Sequence, residues 1–137
     1  MEHLILAVVA LPMASALVTQ LLSAHMGRRV SHVSIGGMTA TFICAAVLLW
    51  HAVDQPGTIE VSHGMGWGFL LFDPLSALMS LVISGISLIV HIYSRRYMAE
   101  EAGYGRFFVL LDLMTAALLV MGAAGDLVTL LIAWHLI

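Results

Sequence analysis

The sequence is poor in charged residues and contains no Lys. Asp, Glu, Lys and Arg make up 9% of its 137 residues, against roughly 25% in an average soluble domain. Hydrophobic residues make up 61%, which excludes an ordinary soluble fold and indicates a multi-pass helical membrane protein. The net charge of −3 gives no sign of a surface that binds nucleic acid.

Other absences exclude further classes of protein. The single cysteine, Cys44, lies in an apolar run and can form no disulfide within the chain. No P-loop, C-x-x-C or H-E-x-x-H motif occurs, so nucleotide binding and metal-dependent hydrolysis have no motif support. We expect no metal and no cofactor in this chain. The seven His residues leave a b-type haem as a minor alternative, but no two of them share the depth that its ligands require.

What the sequence does contain is a series of long apolar runs. About 20 such residues cross a bilayer core, so the runs predict an all-α integral membrane fold with four to five transmembrane helices. The loop at 54–73 has no Lys or Arg, and its two flanks around 62–66 predict a short external β-hairpin. The predicted spans, all in one transmembrane domain, are about 4–24, 33–53, 74–97, 106–123 and 126–137.

The last predicted span is too short to cross a membrane. Its residues, 126–137, form roughly 18 Å of helix, whereas the bilayer core is about 30 Å thick. Because 122–126 reads as a tight turn, we expect the natural protein to continue past Ile137. The alternative is one long bent helix over 107–137.

The arginines predict an orientation in the membrane. Arg95, Arg96 and Arg106 flank one loop and the arginines of 28–29 lie in another, and both loops are expected on the cytoplasmic side. The N-terminus and the loop 54–73 then lie on the outer, periplasmic side of an inner (plasma) membrane.

A stripe of polar residues follows one face of the third predicted span. Its members recur at steps of three or four residues, as one helix face requires. They are Ser76, Ser80, Ser84, Ser87, His91 and Arg95. One interpretation is a packing seam whose hydroxyls bond to their own helix. The other is a hydrogen-bonded lane for protons or water that ends at His91.

Besides His91, the titratable residues Asp112 and His135 lie in apolar runs. Asp112 lies six residues inside Arg106, and His91 lies four residues inside Arg95, so the two are predicted at similar depth. They can form a proton relay or a purely structural hydrogen bond. His135 is predicted near mid-membrane. The predicted proton pathway therefore comprises His135, His91 and Asp112, with Ser80, Ser84 and Ser87 as the lane.

Several short motifs resemble a known family. They are D-P-L-S at 73–76, Y-S-R-R-Y-M at 93–98, G-Y-G-R-F-F at 103–108 and the Trp near the end. Together they resemble the N-terminal part of the antiporter-like, proton-translocating membrane subunits, which include the NuoL/ND-five subunit of complex I, the large Mrp subunit and DabB. The resemblance implies a much longer subunit with a channel Glu after a Trp on its fifth span. Here Trp134 is followed by His135, and this departure favours a DabB-like member.

The resemblance also implies partners. A subunit of this family couples proton movement to other membrane subunits, and in some complexes to a soluble catalytic subunit, for quinone-linked respiration or inorganic-carbon uptake. We therefore expect at most a non-redox membrane subunit of a translocase complex. The alternative is a non-conducting scaffold in the lipid bilayer that anchors a catalytic partner.

Overall fold

The structure is a computed structural model and describes residues 2–55, 57–62 and 69–137. Its elements are α1 (Glu2–Met26), α2 (Val30–Asp54), β1 (Ile59–Ser62), β2 (Phe69–Phe72), α3 (Pro74–Tyr97), α4 (Tyr104–Gly122) and α5 (Leu127–Leu136). Three helical stretches are long and apolar enough to cross a membrane: His3–Asp54, Pro74–Tyr97 and Tyr104–Gly122. The first of these comprises α1 and α2. The chain is thus an α-helical, multi-pass membrane protein, as its composition predicts.

The helices α1 and α2 form a tightly packed pair. A 3₁₀ turn at Gly27–Arg29 joins them, and Gly27 adopts a φ of +53°, which residues with a Cβ rarely adopt. Further along, a Cβ built on Gly37 would lie 2.5 Å from Ser15 Oγ, so the two helices approach closely there. The small residues Thr41 and Ala45 continue this seam and are fully buried.

The start of α3 has the cap that its sequence predicts. The Asp73 side chain accepts a 2.7 Å hydrogen bond from the Ser76 backbone N–H, and Pro74 is the first residue of the helix. This hydrogen bond, formed at the positive end of the helix, lowers the pKa of Asp73 below its ordinary value. The capped start therefore fixes where α3 begins.

Two short strands precede α3. β1 pairs with β2 in antiparallel fashion, with Ile59 opposite Phe72 and Ser62 opposite Phe69. The backbone N–H of Leu71 donates to the Ala123 carbonyl at 2.8 Å, which ties β2 to the end of α4. Of the turn that we expected at 62–66, residues 63–66 lie outside the described residues, and so do residues 67–68 of the flank that follows it.

A turn separates α4 from α5. α4 ends at Gly122, and Asp126 caps α5 by accepting a 2.7 Å hydrogen bond from the Thr129 backbone N–H. The tight turn expected at 122–126 is therefore present, and the alternative of one bent helix over 107–137 is wrong. With 10 residues, α5 is roughly 15 Å long.

The bundle has two chemically distinct ends. The arginine end carries the arginines of 28–29 and 95–96 together with Arg106, and the aspartate end carries Asp73, Asp126 and the strand pair. A buried apolar cluster occupies each end. Toward the aspartate end it comprises Ile5, Val8, Ala45, Leu48, Phe72, Ala77, Leu119 and Ala123. Toward the arginine end it comprises Val30, Tyr104 and Phe108. A layer of buried polar side chains lies between them.

Candidate functional site

The centre of the polar layer is a hydrogen-bonded pair between α3 and α4. His91 Nε2 lies 2.9 Å from Asp112 Oδ1, and both side chains are 0% exposed. The Phe108 ring packs near the His91 ring, with centroids 5.9 Å apart. The structure therefore brings together the two residues that were predicted at similar depth and shields them from solvent with an aromatic ring.

The second oxygen of Asp112 binds the other two long helices. Oδ2 accepts hydrogen bonds from Ser15 Oγ of α1 at 3.0 Å and from Ser34 Oγ of α2 at 2.9 Å. With His91 of α3, one carboxyl group thus holds side chains from three neighbouring helices. A buried carboxyl group needs such partners, because an unpaired one in an apolar interior is strongly destabilising.

The hydrogen bonds determine how many protons the pair holds. His91 Nδ1 lies 2.7 Å from the Ser87 carbonyl oxygen, which can only accept, so Nδ1 carries a hydrogen. The 2.9 Å contact between Nε2 and Asp112 Oδ1 then requires one hydrogen between them. It belongs to either an imidazolium–carboxylate or an imidazole–carboxylic acid pair. In both arrangements the pair is neutral overall and shares one transferable proton.

Hydroxyl groups extend this cluster toward the aspartate end. Ser87 Oγ lies 3.3 Å from His91 Nδ1 and 2.6 Å from Thr115 Oγ1. Thr115 donates its own hydrogen to the Leu111 carbonyl, so its oxygen accepts from Ser87. The side chains from Asp112 through His91 and Ser87 to Thr115 therefore form one continuous hydrogen-bonded series.

The remaining serines of the α3 stripe are bonded differently. Ser80 Oγ donates to the Ser76 carbonyl at 2.8 Å, and Ser84 Oγ donates to the Ser80 carbonyl at 2.7 Å. Both side chains are buried, as a packing seam requires. Their hydroxyls bond to their own backbone, which is the arrangement of the packing interpretation, and they do not extend the series that ends at Thr115.

Apart from Ser80 and Ser84, the predicted residues outside this cluster are exposed. Arg95, which the sequence spacing placed on the stripe, is exposed, and the buried face continues with Ser94 instead. Arg96 and Arg106 are exposed at the same end. His135 is exposed, and its Nδ1 donates to the Leu131 carbonyl at 2.7 Å. None of the hydrogen bonds among the described residues connects His135 to His91 or Asp112.

The sequence analysis did not identify Ser15, Ser34 and Thr115 as partners of the pair. Ser15 belongs to a row, Ser15–Thr19–Ser23, in which polar residues recur every four positions of α1. This recurrence is typical of a face turned toward other helices. Thr115 lies one turn beyond Asp112 on α4. Among the described residues, no group of three or more His, Cys, Asp or Glu side chains comes together to hold a metal ion.

Comparison with known proteins gives a consistent set of relatives. Residues 61–108 match the family model of the N-terminus of chain 5 of NADH-ubiquinone oxidoreductase (complex I). The chain is 57% identical over 129 residues to the "Probable inorganic carbon transporter subunit DabB1" of Halothiobacillus neapolitanus, an alignment that covers 93% of this chain and 23% of that protein.

More distant relatives belong to respiratory complexes. Identity is 32% over 145 residues with NADH-quinone oxidoreductase subunit L of Neisseria meningitidis serogroup B, covering 97% of this chain and 21% of the relative. Identity is 31% over 139 residues with NADH-ubiquinone oxidoreductase chain 5 of Dictyostelium discoideum, covering 91% of this chain and 20% of that relative. The chain thus spans less than a quarter of the length of these curated relatives. It belongs to the family of antiporter-like, complex I-type membrane subunits, matches the N-terminal part of that family, and is DabB-like.

Proposed function

We propose that this chain is part of a proton-translocating membrane subunit in which the His91–Asp112 pair passes protons through the bundle. The observation that carries the proposal is the 2.9 Å contact between Nε2 and Oδ1 in a fully buried site, which requires one proton between the two atoms. Intramembrane ionisable groups are rare and are characteristic of proton pathways. The family relationship supports the same function.

The chemistry of the pair suits proton transfer. Moving the shared proton between Nε2 and Oδ1 changes neither the net charge of the pair nor its hydrogen bond to the Ser87 carbonyl. Full loss of this proton would leave an unpaired negative charge and place two lone pairs against each other. The proton is therefore released only when another takes its place, and this exchange is what a relay requires.

The orientation of the subunit follows from the arginines. Their five side chains lie at one end of the bundle, and we assign this end to the cytoplasmic side of the plasma membrane. The N-terminus and the paired strands β1 and β2 then lie at the outer surface, as an external hairpin. In this arrangement α1, α2, α3 and α4 are four spans, and α5 enters the membrane as part of a fifth.

The coupled reaction is proposed from the relatives. Identity is 57% with a subunit named as an inorganic carbon transporter component and 32% with a respiratory subunit. We therefore assign the chain to an inorganic-carbon uptake complex, in which proton movement is coupled to a partner subunit. Identification of the proteins that co-purify with the subunit distinguishes a carbon-uptake complex from a respiratory one. Co-purifying redox subunits would contradict the assignment to carbon uptake.

The central experiment replaces Asp112 by Asn. An Asn at this position can accept from Ser15 and Ser34 through its oxygen and donate through its nitrogen to the unprotonated Nε2 of His91. Every hydrogen bond of the site is thus retained, but the transferable proton is lost. The subunit should assemble normally and lose proton uptake when reconstituted with its partners in liposomes and driven by a potassium diffusion potential. Asp126→Asn, which makes the same change at a carboxylate outside the buried cluster, is the matched control.

The opposite result would favour the scaffold function. If Asp112→Asn retained full proton uptake, the pair would be a structural hydrogen bond that fixes α3 against α4. A variant that failed to assemble would be replaced by His91→Gln, which removes the imidazole from the same bond and should also abolish uptake in an assembled complex.

A further inference from the structure

Thr19 is an exception among the buried hydroxyl groups. Its side chain is fully buried, and its Oγ1 is the only buried side-chain oxygen or nitrogen without a hydrogen-bond partner among the described residues. Thr39, Thr41 and Thr115, by contrast, each donate to the carbonyl four residues earlier in their own helix. A buried hydroxyl that the protein leaves unpaired is a site where native proteins place an ordered water molecule.

Thr19 lies between the buried pair and the arginine end. One helical turn before it, Ser15 donates to Asp112 Oδ2, and one turn after it lies Ser23. Hydroxyls four residues apart on one helix face are separated by roughly 6 Å, about twice an O–H···O hydrogen bond of roughly 2.8 Å. A single water molecule therefore matches the distance between neighbouring hydroxyls of this row.

The row leads to a surface cleft at the arginine end. The cleft has a volume of about 380 Å³, and among its lining residues are Ser23, Arg28, Glu101 and Arg106. One water molecule takes up about 30 Å³ in the liquid, so the cleft accommodates several. Ser23 is thus in contact with bulk water, whereas Ser15, two turns further in, bonds the buried carboxyl group.

We propose that water bound at Thr19 Oγ1 completes a proton-access route from this cleft to Asp112. The proposal rests on the proposed function, since it supplies the proton that the His91–Asp112 pair passes on. One water bridges Ser23, whose hydroxyl bonds the Gln20 carbonyl at rest, to Thr19 Oγ1. The Thr19 hydroxyl donates to a second water, and this water donates to Ser15 Oγ, which already donates to Oδ2. When one proton enters at the cleft, each oxygen along the row accepts one proton and releases another, and Oδ2 receives one. The pair stays neutral because His91 Nδ1 releases a proton to Ser87 Oγ in the same exchange.

The route and the series beyond the pair lie on opposite sides of it. Ser15 and Thr19 approach Asp112 from the arginine end, whereas Ser87 and Thr115 continue from His91 toward the aspartate end. Protons that enter along α1 can therefore pass from the pair to Ser87 and Thr115 without passing the same group twice.

The test compares three threonine variants of the complete subunit, assembled with its partners. Thr19→Val removes the hydroxyl at nearly constant shape, Thr19→Ser keeps it, and Thr41→Val makes the same change at a buried threonine that bonds its own backbone. Proton uptake into liposomes should fall by about fivefold in Thr19→Val, the factor that loss of one ordinary hydrogen bond produces. Thr19→Ser and Thr41→Val should remain within about twofold of wild type. A density map that resolves ordered waters should show one at hydrogen-bond distance from Thr19 Oγ1 in the wild type.

The other outcomes separate this inference from the proposed function. Full uptake in Thr19→Val, together with loss of uptake in Asp112→Asn, overturns the access route and leaves the relay in place. Full uptake in both overturns the relay and the route together. Equal slowing in Thr19→Val and Thr41→Val assigns the effect to packing and overturns the route. If Thr19→Val does not assemble, the wild-type map decides: no water at Thr19 Oγ1 overturns the inference.

Discussion

Because α1 and α2 approach closely at Gly37, we expect Gly37→Ala to destabilise the fold. The added Cβ would lie 2.5 Å from Ser15 Oγ and 2.6 Å from Ser15 Cβ, well below ordinary contact. Ser15 cannot turn away, because its Cβ is fixed by the α1 backbone and its Oγ is bonded to Asp112. The two helices must therefore separate, and the Ser15–Asp112 hydrogen bond lengthens as they do.

The size of the effect follows from two opposing terms. Forcing an extra methyl group into a packed contact typically costs about 1–3 kcal/mol. Replacing Gly by Ala in a helix gains about 0.8–1 kcal/mol of intrinsic stability. Gly36, the neighbouring residue, has nothing within 4 Å of its Cβ position, so Gly36→Ala should show only the gain. The two variants should thus differ by about 1–3 kcal/mol, with Gly37→Ala the less stable.

The measurement is reversible unfolding of each variant by SDS in mixed micelles, followed by far-ultraviolet circular dichroism. Because both variants make the same chemical change at adjacent positions of α2, their difference cancels the helix propensity and isolates the contact with Ser15. Equal free energies of unfolding for Gly36→Ala and Gly37→Ala would refute the reasoning. In that case the helices accommodate a methyl group without separating.

Three further predictions concern the cap of α3, its serines and the aromatic core. The Ser76 N–H lowers the pKa of Asp73, so its carboxylate stabilises the fold above the ordinary value of 3.8, and this contribution is lost as the pH falls through the lowered value. Asn keeps a capping oxygen but has no carboxyl group to titrate, so in Asp73→Asn the free energy of unfolding should fall less between neutral and acid pH than in the wild type. Replacing Ser80 and Ser84 together by Ala should leave proton uptake within about twofold of wild type, since both hydroxyls bond their own backbone; a large loss would restore the proton-lane interpretation. Phe108→Ala should lower the free energy of unfolding by about 3–5 kcal/mol, because its ring is fully buried; an unfolding free energy close to wild type would contradict its role in the core.

Depth along the membrane normal could be predicted from the sequence, because a helix has a fixed rise per residue. Counting from Arg95 and Arg106 predicted His91 and Asp112 at similar depth, and the structure joins them at 2.9 Å. The start of the third predicted span at residue 74 agrees with the start of α3, because an N-cap and a first-turn proline are local signals.

The lateral arrangement of the helices could not be predicted in the same way. Periodicity shows which face of a helix is polar but not which neighbour that face contacts. The recurrence of Ser15, Thr19 and Ser23 indicates a face turned toward another helix, yet it does not identify the partner of Ser15, Asp112, which is 97 positions away in the sequence. Likewise, a stripe of serines has the same spacing whether its hydroxyls bond the backbone or form a lane. The structure distinguishes the two cases: Ser84 donates to the Ser80 carbonyl of its own helix, whereas Ser87 Oγ contacts Thr115 Oγ1 on α4.

The Asp112 carboxyl group, bonded to one residue from each of three preceding helices, has a consequence for biogenesis. An Asp at the centre of a helix resists membrane insertion by roughly 2.5–3.5 kcal/mol on insertion scales. Its partners Ser15, Ser34 and His91 all come earlier in the chain than α4. During synthesis, the groups that satisfy this carboxyl are therefore already in the bilayer when α4 leaves the translocon. The order of the helices along the chain therefore places the span with the buried carboxyl group after all three of its hydrogen-bond partners.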